Sequence, residues 1–406
     1  MSHDDSARER PAVDVAIDDG IAFRLNAHHL SERLTAEALL EVTGACGIQN
    51  SPPGSALLAM HARLDTMTSE LLDRAFTDDK SLLQTWCMRG SPFYVPTADA
   101  GVFTTGVLPT TEPARRHFIV GVEQSLDKLD LSLDDAVALV DTEIRDVLSG
   151  TRMAIDELGA ELAGRVAPNL SPGQRDTWSH DGPYAKGQPL GEAVVHFCIR
   201  ILTLQGIVCF APRAGNKAPF MLVDEWLERP LPQVDPETAR AELLRRYLRC
   251  YGPSTPKDFA TWVGVAAGDV DPWWRLLEGH MVPVEFNGRR TWLLAEDLDA
   301  VRSPPPPHGL RLLPPRDPYL QTRDRETIVA KKFHREVWKL VGDPGAVLAD
   351  GRIVGIWRPR KSGRKLSMTV TAFESLTARR RALISTEAEH VARLRGATSV
   401  DVRFED

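Results

Sequence analysis

The part of the sequence that looks most like a site reads GACGIQNSPPG at residues 44–54 and WCMRGSPFYV at residues 86–95. Three uncharged polar residues, Gln49, Asn50 and Ser51, lie between two segments with helical periodicity. The proline pair that follows them starts the second helix, because a proline at the first helical position already has a helical φ. The chain therefore presents a polar tripeptide at a helix N-terminus, where free backbone N–H groups favour anionic or hydrogen-bonding ligands.

The surroundings of this stretch predict a repeated module. Residues 23–110 show three segments of helical spacing followed by two short alternating segments, which is the helix, helix, helix, hairpin order of a winged helix. The order returns in residues 111–228. It returns again in residues 229–300, where Asn287-Gly288 is a strong two-residue turn signal. We therefore predict an α+β fold with three tandem winged-helix modules, the first of which carries the polar tripeptide.

The two ends of the chain differ from these modules. Residues 1–22 are polar and acidic, and we expect them to be disordered. Residues 301–406 begin with a proline-rich linker and continue in segments that alternate like strands. This pattern predicts a C-terminal β-rich, barrel-like domain that contains a basic hairpin.

The charge distribution indicates a phosphate-binding surface although the whole chain has a formal charge of −7. Residues 316–406 hold 19 Lys and Arg against 12 Asp and Glu. Charge runs usually form solvated faces, yet a basic β-hairpin opposite tandem winged helices fits a phosphate clamp. The tip of this predicted hairpin carries five positive charges within eight residues: Arg358, Arg360, Lys361, Arg364 and Lys365.

Composition and spacing argue against several other classes of protein. No apolar run approaches the ~18–20 residues of a membrane helix, and the hydrophilic start is not a signal peptide, so we expect a cytoplasmic protein without a membrane partner. Five cysteines without paired spacing argue against a disulfide framework and against a zinc site. We expect buried structural thiols, no metal and no cofactor. A small-molecule hydrolase is disfavoured because no nucleophile-elbow pattern occurs.

Several further motifs appear along the chain in one order. They are Gly-Ile-Gln at 47–49, Ala-Arg-Leu at 62–64, Arg-Gly-Ser at 89–91, RYLxxYGPxTPxDFxxWxG at 246–264, Asp-Pro-Tyr at 317–319, Arg-Asp-Arg at 323–325 and DGxxxGxW at 350–357. Over residues 24–398 the chain thereby resembles the winged-helix superfamily that includes the AlkZ-type and YcaQ-type bacterial DNA glycosylases. The resemblance implies a metal-independent, monofunctional enzyme that excises alkylated or crosslinked bases from duplex DNA. It also implies a C-shaped arrangement around the DNA.

The same resemblance assigns the candidate catalytic residues. The family's motif is Gln, an aliphatic residue, then Gln or Asp, so Gln49-Asn50-Ser51 keeps only the first position. A histidine common in the family's Arg-Gly-Thr-Leu-His turn is replaced here by Phe93. A neutral amide can orient water by accepting a hydrogen bond, so we expect Gln49 to position the nucleophile and Ser51 to assist.

Each candidate has a structural alternative. Gln49 is alternatively a solvated loop residue or a cap of the following helix. Ser51 is alternatively a helix N-cap, and Asn50 could do the same job. The arginines alternatively pair with carboxylates, and the Asp-Pro-Tyr motif alternatively forms a plain turn. Outside the hairpin, the predicted DNA-binding residues are Asn50, Arg63, Arg89, Tyr319 and Arg323.

Two functions therefore remain open at the level of the sequence. The first is a nucleoid-associated, monomeric DNA glycosylase that acts on alkylated double-stranded DNA. The second is a catalytically inactive winged-helix DNA-binding protein, either a regulator or a damage sensor. The departures at Asn50 and Ser51 favour the second, because losing a general base is typically worth ~10²–10⁴ in rate.

Overall fold

The protein has a mixed α+β fold, and four successive stretches of its chain are called units here. The computed structural model describes residues 13–339 and 341–405. Helices dominate the first three units, and a five-stranded sheet dominates the fourth. Among the described helices, none is both long and apolar enough to cross a membrane. The α+β class predicted from the sequence is confirmed.

The N-terminal segment is part of the fold, so the prediction of disorder over residues 1–22 is wrong for its second half. Residues 1–12 lie outside the described part. Val13–Val15 forms strand β1 and Ile17–Ala27 forms helix α1. Strand β1 pairs in parallel with a later strand at Val284. Its backbone hydrogen bonds and the buried face of α1 hold this polar stretch in place, which a charge count does not reveal.

The first unit surrounds the polar tripeptide with helices and a small sheet. Its three strands are ordered β2-β4-β3, and Phe93 on β4 lies opposite Gln49 on β2 and Thr85 on β3. The two-residue strand β2 therefore lies at the edge of this sheet. The elements are α2 (Leu39–Cys46), β2 (Ile48–Gln49), α3 (Ser55–His61), α4 (Ser69–Asp73), β3 (Leu82–Trp86), β4 (Pro92–Pro96) and α5 (Ala100–Phe103).

The second unit is mainly helical and ends in a short hairpin. Met153 forms an isolated bridge with Phe220, which adds a one-residue third strand to the hairpin. The ring of Trp86 from the first unit lies 4.9 Å from that of Phe220, so the two hairpins abut. The elements are α6 (Glu112–Phe118), α7 (Glu123–Leu129), α8 (Leu133–Leu148), α9 (Ile155–Val166), α10 (Pro172–Ser179), α11 (Leu190–Leu204), β5 (Val208–Phe210), β6 (Phe220–Leu222) and α12 (Val223–Leu227).

The third unit confirms the predicted turn and has the element order of the first unit, whereas the second unit contains additional helices. Asn287 and Gly288 have φ values of 53° and 67°, as a two-residue hairpin turn requires. Ser254 bridges Trp292 in the position of the short first strand. The elements are α13 (Pro236–Tyr251), α14 (Pro256–Val263), α15 (Asp271–Arg275), β7 (Met281–Phe286), β8 (Arg289–Leu294) and α16 (Leu298–Arg302).

The fourth unit is an open sheet, and the barrel-like prediction is therefore wrong. The strand order is β13-β12-β11-β10-β9, which leaves β9 and β13 as the two edges in the described part of the chain. Helix α18 packs across the sheet, and its Ile384 and Val391 share an apolar core with Trp357 and Met368. A helix that covers one face removes the need for closure. The elements are β9 (Leu310–Leu313), α17 (His334–Val337), β10 (Gly345–Ala349), β11 (Arg352–Ser362), β12 (Lys365–Ala372), α18 (Ala378–Leu394) and β13 (Ser399–Glu405).

The first and fourth units are joined by a buried ion pair and by apolar packing. Arg63 donates two hydrogen bonds to the Asp317 carboxylate, at 2.9 and 2.8 Å, and each residue is 1% exposed. Leu58 on α3 belongs to the core beneath the C-terminal sheet. Arg24 on α1 binds Asp324 in the same bidentate way, with both bonds 2.9 Å. These contacts fix the first unit against the fourth.

Replacing Asp317 with asparagine is expected to lower the free energy of unfolding by about 3–5 kcal/mol, because the buried charge of Arg63 then has no counter-charge. Chemical denaturation followed by circular dichroism measures this change. The matched control is Arg74→Met, which removes an exposed ion pair with Asp79 and should change stability by no more than about 0.5 kcal/mol. Equal losses for the two variants would contradict the assigned role of the buried pair.

Candidate functional site

Gln49 lies on a strand at the centre of the candidate site, so the solvated-loop alternative considered for it does not hold. Helix α2 ends at Cys46, and Gly47, with φ of 73°, turns the chain directly into β2. The register places Gln49 opposite Phe93, and its side chain is only 3% exposed. The carboxamide therefore has a fixed position that is largely covered by its neighbours.

Arg89 is the neighbour that holds the Gln49 side chain. Its Nη2 donates a hydrogen bond to Gln49 Oε1 at 3.3 Å, and its Nη1 donates to the carbonyl oxygen of Trp262 in the third unit. Arg89 occupies the tight turn between β3 and β4 with φ of 57°. The guanidinium thus connects strand β2 of the first unit to the third unit.

The other two residues of the polar tripeptide have different roles. Asn50 Oδ1 accepts hydrogen bonds from the backbone N–H groups of Gly54, at 2.9 Å, and Ala56, at 3.4 Å. The capping role considered for Ser51 therefore falls to Asn50, which is 8% exposed. Ser51 is half-buried, and its hydroxyl has no protein partner in the described part of the chain. Its hydroxyl is thereby available to a ligand or a water.

A group of arginines extends from Arg89 into the fourth unit. Burial, followed by the charge of nearby Arg323, lowers the pKa of Arg89. Burial also lowers the pKa of Arg323, whose Nε and Nη2 atoms are buried without a hydrogen-bond partner in residues 13–339 and 341–405. Arg316, which the sequence analysis missed, lies near both and pairs with Asp343 at 2.7 Å. Its place directly before the Asp-Pro-Tyr motif was the available signal.

Two predicted DNA-binding residues are corrected by the structure. Arg63 is enclosed with Asp317, and its charge is neutralised inside the protein, so it has no face for a phosphate. Tyr319 is 2% exposed, and its hydroxyl donates to the Gly351 carbonyl oxygen at 2.7 Å. Its backbone N–H donates to Asp317 Oδ1 at 2.9 Å, so the turn interpretation of Asp-Pro-Tyr is confirmed.

The basic hairpin is exposed on the surface of the fourth unit. In the part of the chain that the structure describes, none of its five cationic side chains forms an ion pair with a carboxylate. Lys361 Nζ donates to the Arg395 carbonyl oxygen at 2.6 Å, and Arg358 makes a long contact of 3.4 Å with the Gly342 carbonyl oxygen. The positive charge therefore remains available to an external anion. The exposed members are Arg358, Arg360, Lys361, Arg364 and Lys365.

Comparison with known proteins agrees with this geometry. The family model described as DNA glycosylase AlkZ-like matches residues 42–394. The interstrand DNA cross-link repair glycosylase of Streptomyces sahachiroi is 25% identical over 400 residues, which cover 94% of this chain and 97% of the relative. The solved structure of Streptomyces sahachiroi DNA glycosylase AlkZ matches with a TM-score of 0.75 at 23% identity, over 97% of this chain and 100% of that one. The resemblance found in the sequence is confirmed, and this protein belongs to the AlkZ-like family of DNA glycosylases, which are hydrolases of N-glycosyl bonds.

Proposed function

We propose that this DNA glycosylase hydrolyses the N-glycosidic bond of an alkylated purine in duplex DNA, with Gln49 orienting the attacking water. The observation that carries the proposal is the position of the Gln49 carboxamide beside Arg89. Arg89 and the nearby Arg323 both lack a carboxylate partner in the described chain. Cations that are desolvated without a counter-charge favour an anionic ligand. The phosphates of DNA supply that charge.

The chemistry of the leaving group makes a neutral catalytic residue sufficient. Alkylation at N7 or N3 places positive charge on the purine ring, so the base departs with little acid assistance. The remaining task is to position water against an oxocarbenium-like sugar. The carboxamide oxygen of Gln49 is a hydrogen-bond acceptor that Arg89 occupies in the free protein, and it can accept a hydrogen bond from water once Arg89 has moved away. Ser51 is the proposed second partner of that water.

Arg89 also controls access to Gln49 in this proposal. Because Gln49 is 3% exposed, water reaches it when the Arg89 side chain moves. A hydrogen bond from a guanidinium to a phosphate is stronger than one to a neutral carboxamide. A DNA phosphate therefore draws Arg89 away from Gln49, and the acceptor becomes free when the substrate is in place. Arg323 binds a phosphate in the same segment of the DNA backbone.

The remainder of the chain provides the DNA-binding surface. We assign the three helical units as tandem winged helices, because each repeats a helix, a short strand or bridge, further helices and a hairpin. The exposed basic hairpin contacts phosphates on the other side of a C-shaped cleft. Asn50 contributes through its Nδ2 group, since its oxygen caps α3. One chain supplies both sides, so the enzyme acts as a monomer at the nucleoid.

The substrate class extends to crosslinks. The Streptomyces sahachiroi relative is named an interstrand DNA cross-link repair glycosylase, and the similarity covers nearly the whole of both chains. A bifunctional alkylating agent that joins two purines through N7 leaves each ring with the same positive charge as a single adduct. The same water-positioning site therefore serves both kinds of lesion.

Replacing Gln49 with alanine is expected to lower the single-turnover rate of base release from an N7-methylguanine duplex by about 10²-fold, because the water loses its acceptor. Ser51→Ala should have a smaller effect of the same sign. Gel or chromatographic detection of the released base measures both rates. The matched control is Gln124→Ala on the exposed face of α7, which should retain the wild-type rate.

A wild-type protein that binds the duplex and releases no base above background would overturn the proposed substrate. Normal release by Gln49→Ala would instead remove Gln49 from the catalytic role. Both outcomes are read from the same time course.

Replacing the five hairpin cations with alanine is expected to weaken DNA binding and to flatten its salt dependence. Each lost phosphate contact lowers the slope of log K against log salt by roughly one unit. Fluorescence anisotropy at several salt concentrations measures the slope. Exposed Lys128 and Lys186 in the second unit provide control alanine variants. An unchanged slope in the hairpin variant would exclude the hairpin from the DNA-binding surface.

A further inference from the structure

Three side chains that can ligate a metal meet in the interior behind the catalytic strand. His28 directly follows α1, Cys46 ends α2, and Cys250 lies near the end of α13. One ligand atom of each lies within 4.8 Å of the other two, and the residues are 2–3% exposed. The cluster thereby joins the N-terminal helix, the first unit and the third unit.

The imidazole of His28 has a buried nitrogen that lacks a hydrogen-bond partner among residues 13–339 and 341–405. Its Nε2 atom is buried and has no hydrogen-bond partner in the described part of the chain. The rings of Tyr251 and Tyr319 pack edge-on against it, with centroids 5.0 and 5.5 Å away, so its orientation is set by packing. A buried polar atom without a partner is destabilising, because the loss of its hydration is not compensated. A cation bound by this nitrogen would remove that penalty.

We propose that His28, Cys46 and Cys250 form a structural site for a thiophilic d¹⁰ cation, with Zn²⁺ as the expected ion. Two thiolates neutralise the charge of one divalent cation, and imidazole completes a donor set that zinc prefers. Arg63 is close enough to Cys46 to interact with it electrostatically. Its positive charge does not oppose a bound cation, because Asp317 already neutralises it. Zinc bonds of about 2.0–2.3 Å require the ligand atoms to approach one another by up to about 1 Å.

Entry and a fourth ligand are available beside the cluster. A cavity of about 410 Å³ is bordered by Cys250 together with Gly44 and Ala45. It allows an ion to enter and a water to complete a tetrahedral site. The Tyr251 hydroxyl lies 3.7 Å from Cys46 Sγ and donates a hydrogen bond to the Pro318 carbonyl oxygen at 2.8 Å. Tyr251 therefore borders the three-residue cluster on another side.

The site would fix the strand that carries Gln49. Cys46 precedes Gln49 by three residues, and a metal bond from Cys46 to Cys250 would tie β2 to α13. The spacing of the cysteines along the sequence argues against a zinc site, because zinc ligands commonly occur in closely spaced pairs. Here the ligands come from distant positions, and only the tertiary fold assembles them. The proposal concerns metal binding alone and stands whether or not the proposed substrate is correct.

Titration of the full-length, reduced and chelator-treated protein with Co²⁺ tests the proposal. One equivalent should bind and give the intense thiolate-to-cobalt absorption, which one equivalent of Zn²⁺ should abolish. Cys46→Ser and Cys250→Ser should weaken binding by more than about tenfold and reduce that absorption. Cys198→Ser and Cys209→Ser, which remove equally buried thiols elsewhere, should bind like wild type.

A second measurement does not depend on variants that fold poorly. Zn²⁺ should raise the thermal unfolding midpoint of the wild-type protein, and Mg²⁺ should not, because Mg²⁺ selects oxygen ligands. Absence of thiolate-to-cobalt absorption in the folded wild type would overturn the proposal. A Cys46–Cys250 disulfide in the protein isolated without reductant would also overturn it, because both thiolates would then be consumed.

Discussion

The buried ion pair between Arg63 and Asp317 is the interaction on which the arrangement of the site depends. Arg63 follows α3, the helix whose N-terminus is capped by Asn50, and Asp317 follows Arg316 at the edge of the arginine group. A bidentate bond between planar groups fixes distance and orientation together. The position of Gln49 relative to the arginines of the fourth unit thus depends on an electrostatic contact that water does not reach, with the Arg24–Asp324 pair and the packing of Leu58 acting in the same direction.

Cations inside this protein divide into two groups. Arg24 and Arg63 are enclosed and neutralised by carboxylates that bind them bidentately. Arg89 and Arg323 are placed near each other, and no carboxylate pairs with them in the described residues. The first group holds the units together, while the second leaves a local positive potential. An acidic total charge and a DNA-binding site are compatible because the excess carboxylates lie elsewhere.

Local features were predictable from the sequence, and long-range partners were not. The Asn287-Gly288 turn and the basic hairpin depend on a few consecutive residues, so they could be predicted. The burial of Arg63 depends on a carboxylate 254 positions away, and the contact of Arg89 with Gln49 spans 40. Contacts between residues so far apart in the chain produce no periodic pattern in the sequence. The open sheet was mistaken for a barrel because strand order is likewise a long-range property.

The participation of Leu58 in the core beneath the C-terminal sheet has an implication for how such enzymes diversify. A module that exposes an apolar side chain when it is cut out is poorly suited to modular exchange between proteins. The first unit and the C-terminal sheet must therefore change in concert over evolution, because a volume change at one side of that core needs a compensating change at the other.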